Sequence, residues 1–298
     1  MKFLKFLGYT VLALVAIVAA LVLVVYLRSN SKLNRIHIVT VQSPLLPTDA
    51  GAIARGRHLA VTRGCMECHG KDLGGHKVVD DPAMGRLYAP NLTAGRGGLS
   101  AIFRDEDWVK AIRHGVAPDG RGLFLMPSTD YSHFTESDMG DLVVFLKSLK
   151  PVDRDNLPLS VGPVARALMV AGKIKLAADE IDHVNLRPTI VTPGITVEYG
   201  RYVAVGCTGC HGSNYSGGKI DIGPPNWPRA ANLTPDSSGR LSKWSEDDFL
   251  RTVRTGKRPD GTELSPVMPR AFGLMNDTEL KAVWLYLKTL PSVATGVR

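Results

Sequence analysis

The four cysteines of the sequence all lie in two copies of one five-residue pattern, CMECH at 65–69 and CTGCH at 207–211. Cys-x-x-Cys-His is the attachment signature of c-type haem. Two thiols three residues apart on one helical turn can form thioethers with the two vinyl groups of a porphyrin, and the adjacent histidine then reaches the iron from one face. The sequence therefore predicts two covalently bound haem c groups, held by Cys65, Cys68, His69, Cys207, Cys210 and His211.

Two other uses of paired cysteines fit this sequence less well. The two pairs of a zinc site usually lie about 15 to 20 residues apart, whereas 138 residues separate Cys68 from Cys207. A thioredoxin-like redox motif needs a preceding strand in a βαβ context, and a histidine after both copies would then be a coincidence. Haem attachment uses all four thiols, so no disulfide is expected.

The chain repeats itself around these motifs, and the repeat predicts the second axial ligand of each iron. With Cys65 aligned on Cys207, the similarity extends over about 100 residues. Met126 stands opposite Met268, and each methionine follows its motif histidine by 57 residues. The remaining histidines of the first repeat, His58, His76, His114 and His133, have no histidine at the corresponding position of the second and are expected to be surface or packing residues. The predicted iron ligands are therefore His69 with Met126 and His211 with Met268.

Each repeat is predicted to be a small all-helical unit whose core is completed by the macrocycle. The middle helix is expected from about Asp105 to His114 in the first repeat and from Ser245 to Gly256 in the second, where Ser245 and Asp248 form a capping-box pattern. A last helix follows Thr135 in the first repeat and Asn276 in the second. No segment of either repeat alternates apolar and polar residues convincingly enough to predict a sheet.

A charge-free stretch of 22 residues runs from Phe6 to Leu27 near the N-terminus. At 1.5 Å per residue, a helix of this length covers the roughly 30 Å hydrocarbon core of a membrane. A cleavable signal peptide is the alternative, because such peptides have an apolar region of about 7 to 15 residues that ends at small residues. Residues 18–20 (VAA) could be such an end, but the apolar run continues through 21–25. The sequence therefore favours a single uncleaved transmembrane anchor.

The charge distribution argues against a nucleic-acid partner. The chain has 36 basic and 28 acidic side chains, a net charge of +8. Half of this excess lies in residues 1–49, around the apolar stretch, and no basic stripe interleaved with aromatic residues appears elsewhere. The excess positive charge is better explained by a membrane partner than by DNA or RNA.

Taken together, these motifs resemble class I cytochrome c. The order of Cys-x-x-Cys-His-Gly, Asn-Leu-Thr, Pro-Asp-Gly, Met-Pro and a final Leu-Lys helix is more narrowly similar to the cytochrome c subunits of bacterial membrane-bound alcohol and gluconate dehydrogenases. Those subunits typically carry three haems, whereas this chain has two motifs. The resemblance covers about 50–151 and 195–298 and implies tandem class I cytochrome c domains there. With the apolar stretch, it predicts an all-α chain with a transmembrane anchor at 1–28, a linker at 29–49 and a connector at 152–194.

The connector at 152–194 contains a stretch from Val164 to Ile181 that could form one helix. Its first part is basic through Arg166, Lys173 and Lys175, so it could rest on the membrane surface or on a partner subunit. A connector helix that packs the two haem domains together is the simpler expectation.

A methionine sulfur favours ferrous iron and blocks the sixth coordination position. Both sites are therefore predicted to carry electrons, and no catalytic residues are predicted. Because haem is attached to this motif on the outer face of bacterial membranes, we expect a periplasmic relay anchored in the inner membrane, from a dehydrogenase or quinol-oxidising complex to a soluble cytochrome or terminal oxidase. The alternative is a di-haem redox enzyme of the peroxidase or thiosulfate-oxidising type, which would need an open or displaceable ligand at one iron.

Overall fold

A long N-terminal helix stands apart from the rest of the chain. The structure is a computed structural model and describes residues 2–220, 223–224 and 226–297. Helix α1 spans Lys2–Leu33, and its most apolar window has a mean hydropathy of 3.0 with none of that window buried. Its length and composition are sufficient to cross a membrane, as the charge-free stretch predicts.

The first repeat combines helices with a small surface sheet. Its helices are α2 (Ala52–Thr62), α3 (Cys65–His69), α4 (Asp105–His114), α5 (Ser128–Tyr131) and α6 (Glu136–Lys147). Strand β1 (His76–Asp81) pairs antiparallel with β2 (Gly85–Ala89), which also pairs with the short β3 (Ser160–Val161). The all-α class is confirmed, but the expectation of no sheet in either repeat is wrong for the first. Because β1 is almost entirely exposed, it needs no apolar face and leaves no alternating pattern in the sequence.

The second repeat follows the same order of helices. These are α9 (Val197–Ala204), α10 (Thr208–His211), α11 (Glu246–Thr255) and α12 (Asp277–Thr289). The predicted capping box of Ser245 and Asp248 opens α11, and Gly256 ends it in the left-handed conformation with φ 74°. Asn276 caps α12 in the same way, through Glu279. The middle and last helices of both repeats are therefore confirmed.

In each repeat the first and last helices cross at a glycine. A Cβ atom at Gly56 would lie 2.0 Å from the carbonyl oxygen of Asp141, and one at Gly200 would lie 1.9 Å from that of Ala282. The crossing in the first repeat is reinforced by Arg55, whose Nε donates to Asp141 Oδ2 at 2.7 Å. Close approach of the two backbones therefore requires glycine at both crossings.

The two repeats pack directly against each other. Apolar side chains from both belong to one continuous buried cluster, which includes Leu142 of the first repeat and Tyr202 of the second. His58 Nε2 lies 2.6 Å from Glu279 Oε2, and the Tyr202 hydroxyl donates to Asp138. Each repeat therefore places a residue of its first helix against the carboxylate that begins the last helix of the other.

The connector differs from its prediction as a single helix. It forms two short helices, α7 (Pro163–Val170) and α8 (Ala177–Glu180). The chain between them turns at Gly172, whose φ of 73° lies in the left-handed region that favours glycine. Helix α7 packs on α1, and α8 packs on α5 of the first repeat.

Three histidines meet where the segment after α1, helix α4 and the connector come together. The Nδ1 atoms of His114 and His183 are 3.0 Å apart, and the rings of His37 and His183 are 5.6 Å apart. Burial lowers the pKa of His114 from 6.5 to about 4, and the charges of His183 and Arg113 act in the same direction. Burial also lowers the pKa of His37, against the opposing effect of Asp179. His37 and His114 are therefore neutral at pH 7.

This cluster predicts a destabilisation in acid. Because the unfolded chain binds a proton at His114 near pH 6.5 and the folded chain only near pH 4, the free energy of unfolding should fall as the pH falls through this interval. His114→Asn should make the pH dependence shallower there, and His76→Asn, at an exposed histidine, should leave it unchanged. Denaturant unfolding at a series of pH values measures this, and equal slopes for the wild type and His114→Asn would contradict the assignment.

The glycine crossings predict a sharp stability loss on adding one methyl group. Gly56→Ala and Gly200→Ala should each destabilise the protein by about 1–3 kcal/mol, because the helix backbones must separate. Gly194→Ala is the control, since a Cβ there makes only an ordinary 3.7 Å contact with Thr196. Thermal unfolding of the full chain measures the difference, and crossing variants as stable as the control would show that the helices can move apart freely.

Candidate haem-attachment sites

Both motifs form a single tight turn closed by a glycine. In the first repeat, α3 holds Cys65, Cys68 and His69, and Gly70 follows with φ 83°. In the second repeat, Cys207 ends a short 3-10 turn, α10 continues to His211, and Gly212 follows with φ 80°. Residues three and four apart share one side of a helical turn. Each motif can therefore present its two thiols and its imidazole to the same planar group.

The tautomer of each motif histidine follows from its hydrogen bond. His69 Nδ1 lies 2.9 Å from the carbonyl oxygen of Pro90, and His211 Nδ1 lies 2.7 Å from that of Ala231. A carbonyl can only accept, so Nδ1 carries the proton in both rings. Burial lowers the pKa of both histidines, although the bonds to the carbonyls oppose it. Each ring is therefore neutral and keeps the Nε2 lone pair for a metal.

The Asn-Leu-Thr triplets hold these two carbonyls in place. In the first repeat, Asn91 Oδ1 accepts from the Thr93 amide at 2.9 Å and hydroxyl at 2.8 Å, and its Nδ2 donates to the Val152 carbonyl at 2.7 Å. Asn232 in the second repeat makes the corresponding bonds to Thr234 and to the carbonyl of Val293. In the structure both triplets form buried turns.

Sequence reasoning missed Pro90 and Ala231, the residues whose carbonyls the histidines contact. Neither side chain carries chemistry, so the only available signal was their position immediately before a repeated triplet. Gly75 and Gly217 allow the segment after each motif histidine to approach the segment that carries this carbonyl. A Cβ at Gly75 would lie 3.2 Å from the carbonyl carbon of Pro90, and one at Gly217 would lie 2.4 Å from the carbonyl oxygen of Ala231. Gly75 and Gly217 thus each let two backbone segments meet.

None of the four cysteines forms a disulfide. Burial raises the pKa of both Cys65 and Cys207 to about 12, and the charge of Arg63 opposes this rise at each. Burial also raises the pKa of Cys68 and Cys210. Before haem is attached, burial therefore favours the protonated thiol over the thiolate at all four positions.

The two predicted methionine ligands lie in corresponding loops, between the middle and last helices of each repeat. Both are partly buried. Met126 packs against the buried cluster and follows Leu125, whose φ of 61° is left-handed. Met268 donates its amide hydrogen to the carbonyl oxygen of Ser265. The assignment of both as axial ligands stays a prediction.

The other polar residues also bear on the fit to haem. His58 pairs with Glu279, and His114 belongs to the histidine cluster. The indole Nε1 of Trp108 is buried without a partner among the described residues. A buried donor of this kind is expected where a bound group supplies the acceptor. The paired thiols, the free Nε2 atoms and this unpaired indole together fit a porphyrin with carboxylate side chains.

Comparison with known proteins places both repeats in one family. Residues 53–150 and 197–291 each match the family model described as Cytochrome c. The chain is 28% identical over 284 residues to the fructose dehydrogenase cytochrome subunit of Gluconobacter japonicus, and 26% identical over 273 residues to a diheme cytochrome c-type protein of Cereibacter sphaeroides. It is also 26% identical over 268 residues to the gluconate 2-dehydrogenase cytochrome c subunit of Pantoea cypripedii. The resemblance to dehydrogenase cytochrome c subunits is thus confirmed.

These relatives differ in length from the chain. The three matches cover 84%, 82% and 80% of this chain. They cover 87% of the diheme protein but only 56% of the fructose dehydrogenase subunit and 59% of the gluconate 2-dehydrogenase subunit. The chain thus spans little more than half the length of the dehydrogenase subunits it matches.

The buried triplets predict a repeat-specific loss of stability. Asn91→Ala should leave the buried Thr93 amide unpaired, at roughly 1–3 kcal/mol, and should leave the Val152 carbonyl only the longer bond from the Thr93 hydroxyl at 3.4 Å. It should also loosen the Pro90 carbonyl that orients His69. Asn232→Ala should act in the same way on the second repeat, whereas Asn185→Ala in the connector should have little effect. Denaturant unfolding, with haem content followed by mass spectrometry, tests this. Stability of Asn91→Ala equal to that of Asn185→Ala would contradict it.

Proposed function

The chain belongs to the cytochrome c family, and we propose that it is a membrane-anchored electron carrier in which two haem c groups form a short relay. Each repeat is a cytochrome c domain, so the chain carries two covalently bound haem c groups. Bound haem supplies one-electron chemistry between ferric and ferrous iron. The protein's contribution is to hold, orient and shield each group.

The closeness of the two attachment motifs is the observation that carries the proposal. Arg63, two residues before Cys65, donates to Glu279 of the second repeat at 3.4 Å. Cys65 and Cys207 both pack against the one buried cluster that the two repeats share. The two motifs therefore border the same interface between the repeats. This supports electron transfer between the two domains.

The contacts between the domains keep this arrangement fixed. Glu279 is 2% exposed and receives His58 at 2.6 Å and Arg63 at 3.4 Å. Burial alone would raise the pKa of Glu279, but the hydrogen bond from His58 and the charge of Arg63 outweigh it, so the net shift is downward. The carboxylate is therefore ionised and paired across the domain boundary, and removal of either partner would leave a buried charge.

Within each domain, the proposed iron ligands are His69 with Met126 and His211 with Met268. The two histidine ligands are supported by the hydrogen bonds of their Nδ1 atoms to backbone carbonyls. The two methionine ligands are supported by the equal spacing of 57 residues in both repeats. Two such ligands would leave no open position on either iron for substrate. The proposal is therefore a carrier with no catalytic residue of its own.

We place the haem domains in the periplasm, with α1 anchored in the bacterial inner membrane. Support for a dehydrogenase as the electron donor comes from the relatives, several of which are cytochrome subunits of fructose, alcohol or gluconate dehydrogenases. A quinol-oxidising complex is the other donor we propose, and a soluble cytochrome or terminal oxidase is the proposed acceptor. Purification from detergent-solubilised native membranes, with mass spectrometry of the associated proteins, tests these partners. Recovery of the chain from the soluble fraction would contradict the anchor.

The ligand assignment makes a testable redox prediction. Met126→Ala and Met268→Ala should each lower the potential of one haem, because a thioether sulfur favours ferrous iron, while both haems stay attached. Met139→Leu and Met275→Leu are matched controls, since these buried methionines do not share the spacing. Potentiometric titration with haem counting by intact mass is the measurement. Unchanged potentials in both alanine variants would refute the assignments, and fewer than two haems in the wild type would refute the relay.

A further inference from the structure

The first helix of the connector lies against the end of α1. Arg166 of α7 donates to the hydroxyl of Ser29 at 2.8 Å, and its guanidinium lies 4.6 Å from the ring centroid of Tyr26. Lys32 donates to the carbonyl oxygen of Met169 at 2.8 Å. These contacts follow the same order along both helices, so α7 runs in the same direction as α1.

The contacted face of α1 reaches into its apolar part. The residues of α1 that are shielded from solvent on this side are Val25, Ser29, Lys32 and Leu33, and Ser29 is fully buried. Val25 and Tyr26 belong to the charge-free stretch that ends at Leu27. Helix α7 therefore begins beside the last turn of the apolar stretch, at the level where a spanning helix leaves the hydrocarbon core.

The outer face of α7 is apolar and uncovered. Ala165 and Met169 are buried on the inner side, whereas Pro163, Val164 and Ala167 are exposed. Val164 keeps 46% of its surface accessible. Arg166 is the one charged residue of this helix, and it is turned toward α1. The exposed Pro163 and Val164 belong to the first turn of α7, which stands beside the end of the apolar span, where the hydrocarbon core gives way to headgroups.

Two backbone hydrogen bonds also fix α7 to the first haem domain. The Val164 amide donates to the carbonyl oxygen of Ala83, and the Gly162 amide donates to that of Met84, both at 2.9 Å. Ala83 and Met84 form the turn between β1 and β2. Helix α7 is thus held on one side by α1 and on the other by the hairpin of the first repeat.

We propose that α7 is a membrane-surface helix, whose first turn stands beside α1 at the boundary between phospholipid headgroups and acyl chains and fixes the first haem domain against the bilayer. This inference rests on the proposed membrane anchor, because its position is defined relative to α1. The occupant of the outer face is the bilayer itself. Arg28 and Lys173 are exposed near the two ends of the contact and lie where lipid phosphates would attract them.

The test uses the full haem-loaded chain in vesicles of phosphatidylethanolamine and phosphatidylglycerol, and in native membranes. The photo-crosslinking amino acid p-benzoylphenylalanine replaces Val164, Leu14 within the span, or Ile190, an apolar connector residue that is fully exposed. Mass spectrometry identifies the adducts, and intact mass with both haems confirms that each variant folds. We expect phospholipid adducts at positions 164 and 14, and none above background at position 190.

The other outcomes separate this inference from the anchor. Lipid adducts at 14 but not at 164 would overturn the surface helix and leave the anchor standing. Adducts at 164 but not at 14 would support the surface helix and contradict the transmembrane anchor. Absence of lipid adducts at both positions would overturn both proposals. Adducts at 164 with another polypeptide in native membranes, and with no lipid in either preparation, would assign this face to a partner subunit and overturn the inference.

Discussion

The hydrogen bond from the motif histidine to a backbone carbonyl is the constraint on which both domains depend. It assigns the Nδ1 proton of His69 and His211 and leaves Nε2 free for iron. A carbonyl can fix the Nδ1 proton only if its own chain segment is held in place and can approach the histidine ring. The Asn-Leu-Thr turns provide the first condition, and the left-handed glycines at 75 and 217 provide the second. The same set of backbone contacts occurs twice in the chain.

The second constraint operates between the domains. His58 with Glu279 and Tyr202 with Asp138 occupy corresponding positions, although the residue types differ. The first contact pairs an imidazole with the carboxylate of Glu279. The second joins the Tyr202 phenol to the carboxyl group of Asp138, whose pKa is raised by burial. The two domains therefore face each other with approximate two-fold equivalence. An arrangement of this kind holds two redox groups at a fixed separation, which an electron relay requires.

Much of the site could be predicted from the sequence because haem attachment fixes both residue types and spacing. The helix starts at Ser245 and Asn276 could be predicted as well, since a helix cap needs specific side chains. The hairpin at 76–89 could not be predicted from the sequence, because its exposed strands carry no apolar face. Pro90 and Ala231 could not be predicted because they act through their main-chain carbonyls, which every residue has. The break at Gly172 divides a connector whose composition alone suggested one helix.

X-ray absorption at the iron edge tests the central claim most directly, because it counts the atoms bound to iron in the oxidised full-length protein. If each iron lies between an anchored histidine and a methionine, the fine structure should contain one sulfur neighbour per iron as an average over both sites. Half that value would mean that only one domain has the proposed ligands. A first shell of nitrogen and oxygen without sulfur would contradict the account.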